Sequence, residues 1–452
     1  MKKIICAIVG SCILFMTGCN DWLEVAPKNR LDEKEMFSDE AGFKNALTGI
    51  YIGLKSDKLY GKNLSMDFVE YLAQHWEASP ESLSGYIGDY DYDNEEVARE
   101  IRAMYEKFYN VIVNINNLLK YIDNGVLSPD MYALIKGEAL GLRAFCHLDL
   151  LRLFGPVPAE KTEAKILAYA RIVSRENQLP NTWDEYVGFL VKDLNEAEAL
   201  LKGVDMKGME DDFYSYRENR MNYWAVLALK ARYYMWVGDK KNAGKYAGLI
   251  IEDKKFRLNS GQDFATGGKI AYPEFIFALH HYDLDERVTA YFFRAGGVHK
   301  NKEKVQKDIF QSDITDFRLT YLWEEIEDQS KTRYVLTKYR QEGAASAGLQ
   351  QIPLIRLYEM YLIAIECADV GSVYKPLIDA LVVARNMAAP VIDNTEKKNK
   401  FVAGEYRKEF YGEGYEFFCY KRKGEYDILW ADKKGSKEVY VLPLPKTEIK
   451  FY

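Results

Sequence analysis

The feature that most constrains this chain is a recurring unit: an amphipathic helix, a short break, and a second helix. In Tyr223 to Trp236, the residues Trp224, Leu227, Ala231 and Met235 recur at helical spacing and share one face. Gly238-Asp239 interrupts the pattern, with glycine where helices commonly end. A second helix follows at once, with Ala243, Tyr246, Ala247 and Ile250 on one face. Helices joined by so short a turn lie antiparallel. Ile101 to Ile122 reads as another helix. After "NGVLSP", Asp130 is expected to cap a partner that runs to Phe154 and stops at Gly155-Pro156. Arg356 to Val370 and Tyr374 to Met387 form a further pair around Gly371-Ser372. "EALGLRAF" (Glu138 to Phe145) and "VLALKARY" (Val226 to Tyr233) are weakly alike. Repeated pairs of roughly 34 residues stack in tetratricopeptide fashion, each burying its neighbour's apolar face. The expected fold class is therefore mainly α: tetratricopeptide-like helix pairs forming one scaffold, with irregular loops and a few short strands.

Two regions depart from the helical pattern. Lys55 to Asn94 is rich in Gly, Ser, Asp and Tyr, and Phe256 to Ala347 mixes short apolar runs with glycine and charge. Within the second, "EFIFALHH" (Glu274 to His281) alternates enough to be a short strand. No linker separates these regions from the helices, so residues 19–452 are expected to form a single domain, with the irregular segments as elaborations. Loops on a rigid scaffold are where binding residues usually sit.

The N-terminus sets location. Lys2 and Lys3 precede an apolar run from Ile4 to Met16, and Thr17-Gly18-Cys19 follows. A bilayer span takes roughly 20 apolar residues, so this run is too short to be one. A basic start, a short apolar core and small residues at a cleavage point describe a secretory signal. "MTGC" resembles the lipobox of bacterial lipoproteins, although Met16 stands where Leu is usual. That resemblance implies removal of residues 1–18 and acylation of Cys19, by palmitate-like chains, as the first mature residue. The alternative is an ordinary secretory signal that happens to contain Cys19. At roughly 0.8 kcal/mol per buried methylene, several acyl chains hold a protein on a membrane almost permanently.

Composition removes several classes. Of 452 residues, 48% are hydrophobic and 29% charged, which is globular rather than disordered. The net charge is −7, and loss of Lys2 and Lys3 makes the remainder more acidic. Nucleic-acid binding needs a basic footprint, and no Lys/Arg stripe supplies one. Of the six cysteines, Cys6 and Cys12 lie in the leader and Cys19 at its end. Cys146, Cys367 and Cys419 are left, an odd number without C-x-x-C spacing, so no disulfide framework is expected. Cys146 and Cys367 read as small buried hydrophobes.

Catalytic and cofactor motifs fail individually. "YGEGYEFF" has Gly412 and Gly414 but no third glycine, and "GQDFATGGKI" has Ile270 where a phosphate loop requires Ser or Thr. There is no G-x-S-x-G elbow and no H-E-x-x-H. His280 and His281 are adjacent, so on a strand they face opposite ways and cannot share a metal. His147, inside a helix, reads as a hydrogen-bonded structural residue. No metal, cofactor or catalytic residue is expected. In "EYRKEFYGEGYEFFCYKR", the residues Arg407, Glu409, Glu413 and Arg422 read as a structural ion-pair network. Gly412 and Gly414 would permit a tight turn there, with Phe410, Phe417 and Phe418 packing inward.

Five segments in order resemble one family. "CNDWLEVAPKNRLDEKEMFSDEAGFKNALTGIYIGL" looks like a tethered start and first helix, and "GEALGLRAFCHLDLLRLFGPVP" like a signature helix ending in an aromatic-Gly-x-Val-Pro turn. "IPLIRLYEMYLIAIECA", "EYRKEFYGEGYEFFCYKRKG" and "VYVLPLPKTEI" complete the set. Together they resemble the SusD/RagB family of surface lipoproteins, which capture nutrients for uptake across an outer membrane. Cys419 and Tyr420 depart from the Asp and Leu common in that family's C-terminal block.

The binding candidates lie in "HWEASPESLSGYIGDYDYDNEE", His75 to Glu96. Pyranose rings stack their C–H faces on aromatic rings, while carboxylate and amide oxygens accept hydroxyl hydrogen bonds. Tyr86, Tyr90 and Tyr92, interleaved with Gly and with Asp89, Asp91 and Asp93, fit that chemistry. Trp76 is the largest platform, if it does not instead plug the core. The resemblance adds loops from the middle of the chain, where "HHYDLDERVTAYFFRAGG" supplies Tyr282, Tyr291, Phe292 and Arg294. It also implies an outer-membrane, cell-surface protein that delivers a glycan, or a peptide, to a SusC-like TonB-dependent β-barrel transporter. The rival readings are a lipid-anchored glycan hydrolase, which needs two carboxylates converging on one cleft, and a purely structural helical-repeat adaptor.

Overall fold

The computed structural model describes residues 33–450 apart from 175, 177, 329–330, 344–345 and 370–373. The leader, Cys19 and the Gly371-Ser372 break therefore lie outside the described residues. The longer helices are α1 (Glu40–Leu54), α2 (Glu95–Tyr121), α3 (Pro129–Phe154), α4 (Trp183–Lys207), α5 (Tyr223–Val237) and α6 (Lys240–Asp253). After an irregular stretch come α7 (Leu357–Cys367), α8 (Lys375–Arg385), α9 (Thr395–Glu409) and α10 (Glu416–Lys423). From α1 to α7 each helix packs on the next in chain order, and α7 also packs on α9. This nearest-neighbour stacking is the tetratricopeptide-like, mainly α architecture expected from the repeated pairs.

Local chemistry sets the helix ends. Helix α3 starts one residue before the expected cap: Ser128 Oγ accepts the Met131 N–H at 3.3 Å, and Pro129 opens the helix. Proline has no N–H to lose in a first turn. Asp130 instead reaches Lys207 at the end of α4, 2.6 Å away. Helix α5 ends at Gly238, whose φ of 84° lets its N–H turn back to Tyr234 and Met235.

Helix α3 is buried on every side from Gly137 to Phe154, as a helix at the centre of a stack must be. At Gly137 a Cβ would fall 2.6 Å from Leu201 Cγ, so glycine lets α4 approach closely. His147 lies in this core, between the Tyr186 hydroxyl at 2.9 Å and the Ala170 carbonyl at 3.3 Å.

The strands are short and paired in twos. Phe275–His280 is the expected strand, and it pairs antiparallel with Gln351–Arg356, directly before α7. Every residue of that second strand is buried, so its composition carried no alternation to read. His280 ends the strand exposed, and His281, one residue past it, is buried. Trp323–Asp328 and Lys331–Leu336 form a hairpin pair. Lys55 to Asn94 proves less irregular than its composition suggests, because Phe68–Leu72 and Leu83–Gly88 are short helices.

The C-terminal block forms an ion network, with different partners for each member. Arg385 grips both oxygens of Glu409, at 2.8 and 2.9 Å, and Arg356 adds a third contact at 2.7 Å. Arg356 and Lys338 share Glu413, while Arg407 pairs with Glu416 and Arg422 with Glu366. Burial opposes ionisation of Glu409, but the Arg385 and Arg356 charges outweigh it and hold its carboxyl well below the usual range. Gly412 and Gly414 have φ of 75° and 77°, and Phe410, Phe417 and Phe418 point into the core.

Candidate functional site

The structure brings Tyr90 and Tyr92 to one cleft. Tyr90, Asp91, Tyr92 and Asp93 form one wall, the Pro156-Val157 turn after α3 another, and the segment from Lys437 to Pro443 the third. The cleft has a volume of about 640 Å³. Hydrogen bonds fix both rings. Tyr92 donates to the Val439 carbonyl at 2.6 Å, and Tyr90 donates to the Leu72 carbonyl at 3.1 Å while accepting from Gln74 Nε2. Burial pushes the Tyr90 hydroxyl up to about 12, so it stays a donor at neutral pH. Tyr90 also has a φ of 58°, a left-handed conformation rare for a bulky residue. Asp91 and Asp93 are exposed at the rim, where their oxygens are free to accept from hydroxyl groups.

The other sequence candidates scatter. Tyr86 is half-buried on the Leu83–Gly88 helix, and Asp89 is exposed beside it, its carbonyl accepting from Lys433 Nζ at 3.2 Å. Tyr282 is 80% exposed and does not line the cleft of Tyr90 and Tyr92; it sits beside a buried His281 that bonds the Lys55 carbonyl. Tyr291 is half-buried, with its hydroxyl held by Asp67 and the Met66 carbonyl. Arg294 is exposed, and its carbonyl accepts from Arg333.

Trp76 requires a correction. Its side chain is not a platform: the residue is 2% exposed and its Nε1–H donates to the Met66 carbonyl at 2.8 Å. Phe292 and Tyr411 pack edge-on against it, with ring centroids 5.7 and 5.2 Å away. The indole's apolar bulk wins burial, and its one polar atom finds a backbone acceptor inside.

Sequence reasoning missed a second recess, to which the same loop contributes Glu77. Glu77, His299 to Lys302, Lys304, Glu325, Thr332 and Tyr334 surround a volume of about 390 Å³. Trp430 stands by it, half-buried, with the Lys300 ammonium 4.3 Å from its ring and its Nε1–H on Asp308 at 2.7 Å. Its φ of 66° is left-handed. One signal was available: a tryptophan at the end of the short apolar run Ile428-Leu429-Trp430, set within the charged and glycine-containing "EYDILWADKKGSK".

Among the described residues no three His, Cys, Asp or Glu side chains are grouped to hold a metal, and no helix is long and apolar enough to cross a membrane.

A stacked-helix body whose clefts are built by intervening loops defines a class of α-helical scaffold protein. The chain belongs to the SusD family, whose model matches residues 211–450. A second model, described as starch-binding associating with outer membrane, matches residues 21–235. SusD-like protein P25 of Formosa agariphila is 26% identical over 235 residues, 48% of this chain and 40% of that protein. SusD-like protein P38 of the same organism is 22% identical over 370 residues, 74% of this chain and 68% of that one. The matched region thus spans less than two thirds of P25. A SusD superfamily protein from Bacteroides vulgatus superposes with a TM-score of 0.72 at 21% identity, covering 91% of this chain and 97% of its own. A SusD-like carbohydrate binding protein from the same organism gives 0.72 at 15% identity, covering 91% of this chain and 96% of its own. At these identities the structural likeness shows the fold alone.

Proposed function

We propose that this protein is a non-catalytic surface lipoprotein of the outer membrane. Anchored through acylated Cys19, it captures oligosaccharide and passes it to a SusC-like TonB-dependent β-barrel. The observation that carries the reading is the cleft of about 640 Å³, where Tyr90 and Tyr92 stand beside Asp91 and Asp93 on a SusD-family scaffold. Aromatic rings supply stacking faces and the carboxylates supply acceptors, which is what a hydroxyl-rich ring requires. Tyr86, Asp89, Tyr282 and Arg294 are proposed as outlying contacts for a longer chain. The carbohydrate-binding relative named above supports the ligand class by analogy.

Incubation with immobilised polysaccharides tests the reading. Retention without released product supports it. Product release makes the protein a hydrolase, and failure to retain any glycan or peptide leaves a structural adaptor. Retention of peptide alone changes the ligand class and keeps the role. For the anchor, labelled fatty acid is expected in the native protein and not in Cys19→Ala; equal labelling of both removes the lipoprotein claim.

A further inference from the structure

Away from the loop clefts, a cavity of about 30 Å³ is lined by residues of α3, α5, α7, α9 and α10, among them Arg152, Arg232, Trp236, Glu359, Cys419 and Arg422. Trp236 is 3% exposed, and its Nε1–H meets no acceptor among the described residues. An indole N–H can only donate, and leaving a buried donor unmet is costly.

The surroundings hold more donors than acceptors. The one carboxylate on the wall, Glu359, already takes Arg232 Nε and Nη2 at 2.8 and 2.7 Å and the Tyr415 hydroxyl at 3.2 Å. Arg152 gives Nη1 to Asp149, and Arg422 gives one N–H from each terminal nitrogen to Glu366. A guanidinium carries five N–H groups, so both retain more. Burial pushes the Cys419 thiol up to about 12, which keeps it a protonated, weak donor. The three guanidiniums are each matched by a carboxylate, Arg152 by Asp149, Arg232 by Glu359 and Arg422 by Glu366, so the wall offers spare N–H groups rather than a surplus of charge.

We propose that this cavity binds one small monovalent anion of the halide class, held by the Trp236 N–H and the guanidiniums of Arg152, Arg232 and Arg422. About 10–15 Å³ of such space already holds a water-sized sphere, so a monatomic halide fits, and the larger, doubly charged sulfate serves as the control against it. A water accepting from Trp236 needs acceptors for its own two hydrogens, where most lone pairs are taken; a halide needs donors alone. The anion would tie α3, α5 and α10 together, and binding only the folded state would raise stability by mass action.

The test is the melting temperature of the purified protein titrated with sodium chloride, bromide, sulfate and gluconate at matched ionic strength. Chloride and bromide are expected to give a saturable rise that sulfate and gluconate do not. Crystals grown in bromide are expected to show an anomalous peak within hydrogen-bond distance of Trp236 Nε1. Trp236→Phe should abolish the halide-specific increment, and Arg422→Lys should raise the half-saturating halide concentration about tenfold or more, the scale of a lost charged hydrogen bond. Equal responses to all four salts, or a water without an anomalous peak in the cavity, overturns the proposal. If Trp236→Phe does not fold, the bromide peak in the unaltered protein decides alone.

Discussion

The Glu70 carboxylate accepts the Gly414 N–H at 2.7 Å, across 344 residues of sequence. Its other oxygen takes the Gly412 N–H at 2.9 Å and meets His75 Nδ1 at 2.6 Å. Glu70 is fully buried, so this one side chain satisfies the turn of the C-terminal block and fixes the start of the aromatic loop. It connects the structural motif to the segment that carries Tyr90 and Tyr92.

Glu70→Ala is expected to destabilise the fold by about 2–5 kcal/mol, the range for stripping a buried charge from its hydrogen-bond partners. Two backbone N–H groups and His75 would lose their acceptor. Urea denaturation measures it, and a loss below about 1 kcal/mol would mean that water replaces the carboxylate.

Trp76, the half-buried cleft ring of Tyr92 and the exposed Tyr282 are expected to respond differently. Trp76→Ala removes a ring that is 2% exposed, and should cost about 3–5 kcal/mol of stability while sparing glycan affinity in the folded fraction. Tyr92→Ala should weaken binding by about 1–3 kcal/mol, the loss seen when stacking and hot-spot rings are truncated. Tyr282→Ala, at 80% exposure, should leave stability within about 0.5 kcal/mol, so any change in affinity reports ligand contact directly. Melting curves and calorimetric titration of the three variants separate these outcomes.

The helix pairs were legible because apolar residues recur at the helical period and breaks such as Gly238 carry glycine, although the cap expected at Asp130 falls instead on Ser128. The all-buried strand Gln351–Arg356 was not, because burial on both faces erases the alternation that marks a strand. His147 could be assigned a structural role from its helical setting; burial lowers its imidazole to about 3, which keeps it neutral. The site was harder. Aromatic residues beside glycine and aspartate mark a loop, but no local pattern tells a ring that faces solvent from one that fills the core. Trp76 and Tyr92 lie 16 positions apart in one segment, and only tertiary packing assigns the first to the interior and the second to the cleft wall. Lys437 to Pro443, which closes that cleft, was legible only as a family-like closing segment.

Lys300 should contribute stability that rises with pH on the alkaline side of neutrality. Burial lowers the Lys300 ammonium to about 8, against the approach of Glu77, while an unfolded lysine titrates near 10.4. Between these values the unfolded chain holds a proton that the native state has released. Unfolding therefore becomes less favourable as pH climbs through that window, and the gain is absent below about pH 8. Lys300→Met carries no titrating group there, so the native protein's stability minus the variant's should climb between about pH 8 and 10, whatever the buried thiols add to both curves. Identical slopes for the two proteins would show that Lys300 stays charged in the fold.

The last prediction concerns the transporter. A lipid-tethered protein cannot by itself carry a nutrient through a membrane, so the proposed role requires a β-barrel partner. Stacked helices offer that partner a broad rigid face and leave the loop clefts free for ligand. A lasting assembly of this kind buries well over roughly 2,000 Å². The formal net charge of −7 is modest for 452 residues, which points to apolar and hydrogen-bonded contacts rather than one charged patch as the source of stability. Purification from native membranes in mild detergent is expected to bring down a large outer-membrane barrel in near-equal amount. High salt should not strip it off, because screening weakens exposed ion pairs far more than packed apolar surface. Recovery of this protein alone, in detergent that leaves other barrel complexes whole, would overturn the delivery role and leave a free-standing surface binder.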